Sequence, residues 1–106
     1  MPKYLIEAAF TVEGAKGILA KGGTVRRKAV EDAAKSVGGS VESFYFAFGA
    51  TDAIAILDLP DHASAAALAL SISSTGSVEA ATTVLLTPEE LDAAGKKSPA
   101  YRPPGA

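Results

Sequence analysis

From Tyr4 to Phe10 the chain alternates. Tyr4, Ile6, Ala8 and Phe10 fall on one face and Leu5, Glu7, Ala9 and Thr11 on the other, which is the period of a strand. Glu13-Gly14 is expected to end it. Ala15 to Lys21 then reads as a short helix closed by Gly22-Gly23, and Thr24 as the N-cap of a second helix over Val25 to Val37, stopped by Gly38-Gly39. In that helix Val30, Ala33, Ala34 and Val37 form an apolar stripe opposite Arg27, Lys28, Glu31, Asp32 and Lys35, so one side faces a core. Val41 to Phe48 predicts a second strand with Phe44, Phe46 and Phe48 on one face and Val41, Ser43, Tyr45 and Ala47 on the other. Gly49 is expected to supply a positive φ in a short hairpin before a third strand, Ala53 to Leu57. Asp61 is placed to cap a helix from His62 to about Ser74, ended by Thr75-Gly76, and Ser77 to Leu85 predicts a fourth strand. Thr87-Pro88-Glu89-Glu90 opens a last short helix that ends by Gly95.

The order β-α-β-β-α-β with a terminal helical turn predicts an α+β, ferredoxin-like fold: a four-stranded antiparallel sheet with helices on one face. The expected organisation is a single domain over residues 1–95 and an extended, Pro-rich C-terminal tail over 96–106. Two helices about 10 Å across cover one face of a sheet about 19 Å wide. The strands nevertheless carry apolar residues on both faces: Leu5 and Ala9 oppose Tyr4, Ile6 and Phe10 in the first, and Ala53, Ala55 and Leu57 oppose Ile54 and Ile56 in the third. A second copy packed sheet to sheet is the expected cover, with a monomer whose tail or last helix folds back over the same face as the alternative. Glu7 sits mid-strand among apolar neighbours, a costly position unless it is paired or at a rim.

Composition narrows the chemistry. At 106 residues the chain is one domain's worth, able to bury about two-thirds of its surface. It has no cysteine, which excludes thiolate nucleophiles and thiolate metal sites, and its single histidine excludes a multi-histidine metal site within one chain. Twelve acidic and ten basic side chains leave a net charge of −2, unlike a nucleic-acid binder. The chain's start carries a carboxylate within its apolar run, and the longest weakly polar stretch, Ala63 to Ile72, is too short to cross a bilayer. A cytoplasmic protein without cofactor, metal, nucleic-acid or membrane partner is expected.

Three places carry candidate chemistry. At Gly22-Gly23-Thr24 the free amides of a helix start, the Thr24 hydroxyl and the Arg26 guanidinium suit a carboxylate or phosphate; an ordinary helix restart explains the same residues. His62 is the one side chain that titrates near neutrality, next to Asp61, although Asp61 also reads simply as the cap. Tyr45 could orient a small organic ligand in an inter-sheet pocket, or serve as a packing tyrosine.

Several segments resemble the GYD-domain family. They are Glu13-Gly14-Ala15-Lys16-Gly17, Gly22-Gly23-Thr24-Val25-Arg26, Phe44-Tyr45-Phe46-Ala47-Phe48-Gly49, Asp58-Leu59-Pro60-Asp61 and Leu86-Thr87-Pro88-Glu89-Glu90, and the resemblance spans residues 3 to 94. It implies a small bacterial protein of the dimeric α+β barrel superfamily, which includes cofactor-independent oxygenases, lactone isomerases, haem-handling proteins and ligand-sensing modules. The family's hairpin tends to carry a tyrosine just before the aspartate; here Thr51 precedes Asp52. Fold is thereby implied more closely than chemistry. The expected function is small-molecule binding by a homodimer without catalysis. The alternatives are a cofactor-independent oxygenase or isomerase assisted by Tyr45 or His62, and an interaction subunit that docks through Lys96 to Ala106.

Overall fold

The structure, a computed structural model, describes residues 1–105; Ala106, the last residue of the expected tail, lies outside them. The elements run β1 (Lys3–Phe10), α1 (Val12–Lys21), α2 (Gly23–Ser36), β2 (Ser40–Phe46), β3 (Ala53–Asp58), α3 (His62–Ser73), β4 (Val78–Leu85) and α4 (Pro88–Gly95). The strands form one antiparallel sheet in the order β2-β3-β1-β4, the ferredoxin-like arrangement that the sequence predicts.

Strand alternation decides which side holds the core. Tyr4, Ile6, Ala55 and Leu57 point to one face, where they pack with Ala34 of α2, Ala65 and Leu68 of α3, and Leu59 just beyond β3. Leu57, Leu59 and Ala34 are completely buried. Several strand positions in this layer are alanines, which lets the helices sit close and leaves little room for compensation when a large side chain is removed.

Local sequence sets the element ends, and some ends differ from expectation. Thr11 is not the last residue of the first strand's outer face: it is the N-cap of α1, its hydroxyl accepting from the Gly14 amide. Gly14 is therefore inside a helix rather than in a turn. A side chain there would run into the Ser77 carbonyl oxygen, so glycine lets α1 lie against the start of β4. Thr24 is not the cap of α2. Gly22, at φ 88°, ends α1 and begins α2 by itself, its amide donating to the Ile18 carbonyl at 2.7 Å. A left-handed residue turns the chain within one position and needs no hydroxyl. Gly38 and Gly76 do supply the expected stops, at φ 84° and 74°, whereas Gly49 is not among the glycines with positive φ. Asp61 and Thr87 cap their helices as expected, Thr87 within a complete capping box.

Two corrections concern β2. A bulge between Val41 and Ser43 breaks the alternation, so Val41 pairs with Leu57 and joins the core side together with Phe44. The strand ends at Phe46, and Phe48, expected beside Phe44 and Phe46, lies in the following loop and is 99% exposed. That loop is held by Asp52, whose carboxylate accepts from the Phe10 amide at 2.8 Å while its own amide donates to the Ala8 carbonyl.

Among the described residues, no helix or tail segment covers the second face of the sheet. Leu5, Glu7, Ala9, Ile54 and Ile56 are half-buried there, Tyr45 is exposed, and every residue from Leu86 to Gly105 is exposed. The fold-back alternative is therefore not what the chain adopts.

Gly14→Ala is expected to destabilise the fold by about 1–3 kcal/mol, because backbone at Ser77 must move. Gly17→Ala, three residues on in the same helix with open space around it, is expected to be neutral or to stabilise by up to ~1 kcal/mol. Denaturant unfolding of both variants measures the contrast.

Candidate functional site

The α1–α2 pair meets the ends of β1 and β4 around a cleft of about 250 Å³. Phe10, Ile18, Val25 and Val78 give it an apolar lining, and Glu13, Lys21 and Arg26 stand around it. Glycines at 14, 17 and 22 keep its walls low, since no side chain projects from them. A second, smaller space of about 30 Å³ lies between the helices and the sheet, lined by Ile6, Phe44, Ala55 and Ile72 among others. It has room for a water-sized group only. Phe10, Arg26 and Val78 line both spaces and so form the boundary between them.

Arg26 reaches this position for a helical reason. It lies four residues before Val30 and eight before Ala34, the two buried residues of α2, so it extends the inward stripe by one turn. Its side chain is half-buried, and among the described residues the ion pairs are made by Lys3 and Lys28, none by Arg26. A half-buried arginine without an ion-pair partner among the described residues, lining an apolar cleft, has the chemistry to meet an anion there. Thr24 lies on the other side of α2's first turn, exposed, in a shallow concavity with Gly23, Arg27, Phe44 and Phe46. Phe46 packs edge-on against Phe44, with ring centroids 5.1 Å apart, and closely beneath Gly23.

His62 is elsewhere. It begins α3, and its Nδ1 lies 2.6 Å from the hydroxyl of Tyr4, the rings meeting edge to face. Tyr4 is 1% exposed, so its hydroxyl proton needs an acceptor inside the protein, and Nδ1 is the one present. The phenol donates and the imidazole accepts. Asp61 does not orient His62 through a hydrogen bond; its carboxylate accepts from the Ser64 amide at 2.8 Å. That bond, the Ser64 hydroxyl and the neighbouring imidazole hold the Asp61 carboxyl below its ordinary range. Tyr45 is on the open sheet face, opposite Ile54 and 71% exposed.

The four residues singled out from the sequence thus occupy separate places. Thr24 and Arg26 share the α2 start and face different concavities. Tyr45 is on the opposite side of the sheet. Tyr4 and Phe10 are six strand residues apart, about 20 Å, which separates His62 from the cleft. Tyr4 itself was not among the candidates; its signal, a tyrosine at a core position of a strand, reads as packing until the histidine 58 residues later is seen to reach it.

At the sheet's near end, Lys3 bridges Glu42 at 3.0 Å and Asp58 at 2.9 Å, and these contacts, Asp58 first, raise its ammonium above the usual lysine range. No group of three or more metal-ligating side chains occurs among the described residues, and no helix among them is long and apolar enough to cross a membrane.

The family model for the GYD domain matches residues 4–94, nearly the whole ordered fold, and the chain belongs to that family. No curated protein and no solved structure matches the chain.

Because the folded carboxyl of Asp61 titrates lower than an unfolded one, its contribution to stability is full above pH ~4 and is lost as pH falls through the folded value. Asp61→Asn keeps a capping side chain but removes this dependence. Its acid-unfolding curve is expected to fall less steeply below pH ~4 than that of the parent chain.

Proposed function

We propose that this GYD-domain protein is a homodimeric binding protein, without catalysis of its own, for a small organic anion with an apolar body. The observation that carries the ligand reading is Arg26, half-buried without an ion-pair partner among the described residues, lining the apolar cleft. A carboxylate-bearing metabolite of modest size fits that arrangement. Its charged end meets the guanidinium, and its body lies along Ile18, Val25 and Val78. Lys21 adds a second positive charge at the rim against the single carboxylate of Glu13. At about 250 Å³ the cleft is smaller than a drug-sized pocket, so the ligand class is small.

The dimer reading rests on the uncovered sheet face, where Leu5, Ile54 and Ile56 are only half-buried in one chain. Two such faces related by a two-fold axis bury one another. Tyr45 then becomes an interface residue rather than a surface one.

Catalysis, as a cofactor-independent oxygenase or isomerase, has less support. The only imidazole is tied to Tyr4, and neither space lined by Arg26 reaches His62 or Tyr45.

Thermal unfolding against a panel of aromatic and branched aliphatic carboxylates tests the ligand reading. At least one is expected to raise the melting temperature by about 5 °C or more at saturation, without being consumed. Arg26→Met is expected to abolish that shift, and Gly17→Leu to abolish it by filling the cleft. A panel with no shift, or one unchanged by Arg26→Met, overturns the reading. For the dimer, Ile56→Glu is expected to give a folded monomer by light scattering, since it places a charge in the sheet-to-sheet interface.

A further inference from the structure

The open sheet face has a charge problem as well as an apolar one. Glu7, mid-strand between Ile54 and Ala81, is half-buried, and with Glu79, Ala9 and Thr51 it lines a broad concavity on that face. Neither glutamate forms an ion pair or side-chain hydrogen bond among the described residues, and the face's own lysine, Lys3, is committed to Glu42 and Asp58. Closing a second sheet over this face would strip water from carboxylates that have no cation, which is costly.

The chain also carries cations with nothing to bind. Beyond α4, residues 96–105 contain Lys96, Lys97 and Arg102 and no acid, and none of the three forms an ion pair among the described residues. This segment and α4 project from the body. The longest dimension is 56 Å against 33 and 22 Å, and the radius of gyration is 16.7 Å, where a compact chain of this length gives about 13 Å. Leu86, Leu91 and Tyr101 are 59%, 63% and 75% exposed along it. A projecting arm with exposed apolar side chains, whose last ten residues carry three cations and no acid, is built to lie on something.

Resting on the dimer reading above, we propose that residues 96–105 of each chain dock on the open sheet face of the other copy, where Arg102 pairs with the Glu7–Glu79 concavity and Tyr101 covers the apolar surface beside it. Topology brings the two together. The arm leaves the sheet at the Leu85 end of β4, and Glu79 lies at that strand's other end. A two-fold axis lying between the sheets and across the strands sets one copy's Leu85 end over its partner's Glu79 end. Area points the same way. Strands about 27 Å long in a sheet about 19 Å wide give on the order of 500 Å² per copy, about 1,000 Å² in all, short of the roughly 1,200–2,000 Å² of a stable dimer. Two exchanged arms make up the difference and supply the missing cations.

The test is the dimer dissociation constant of the full chain, measured by sedimentation over a range of concentration and salt. Removing residues 96–106 is expected to weaken the dimer about tenfold or more and to flatten its salt dependence. Glu79→Lys and Arg102→Glu are each expected to weaken it about fivefold or more, and the charge-swapped double variant to recover most of the loss. A truncated chain that dimerises as tightly as the full one overturns the arm and leaves the sheet-to-sheet dimer standing. Single variants that weaken without recovery in the double variant overturn the Glu79–Arg102 pairing. A folded full-length chain that stays monomeric at high micromolar concentration, by contrast, removes the dimer reading itself.

Discussion

Covering a sheet is the constraint from which the rest of this molecule follows. Four strands expose two faces, and β1 and β3 carry apolar side chains on both. The helices are spent on one side, where α2 and α3 seat Val30, Ala34, Ala65 and Leu68 on the sheet. The alanines of β3 and α3 bring these layers close, so the interior between them keeps only the space of about 30 Å³. What space remains is displaced to the edge of the layer, where α1 buries no residue and leans on β4 through Gly14. The cleft and its arginine are thus a by-product of how the first helix fits. The apolar second face arises from the strands themselves.

The architecture was legible because its signals are local and redundant. Alternation in β1 and β3, the apolar stripe of α2 and the caps at Asp61 and Thr87 each mark an element without reference to distant residues. The misreadings share a cause. Thr24 has the right chemistry for a cap, but Gly22 performs the turn with backbone geometry alone, which a residue type does not announce. Val41 fits the alternation of β2 on paper, and a bulge moves it to the other face. Phe48 continues a pattern that the strand has already left. Periodicity predicts faces only while hydrogen bonding stays in register.

The candidate chemistry was less legible, because proximity between distant residues has no local signature. Arg26 could be found from its spacing to Val30, although the cleft beside it depends on how α1 meets β4. Nothing near Tyr4 in the sequence announces a hydroxyl that must find an acceptor, and nothing near His62 announces a phenol. Nor does anything around Asp52 in the sequence announce that its carboxylate ties the β2–β3 loop to the end of β1.

The Tyr4–His62 contact constrains the protein's one imidazole. With the phenol's proton directed at Nδ1, the uncharged ring must carry its own proton on Nε2. Toward solvent the neutral histidine therefore presents an N–H and no lone pair. A surface that seems to offer a general base offers a hydrogen-bond donor instead, suited to gripping an electronegative atom rather than to drawing a proton from one.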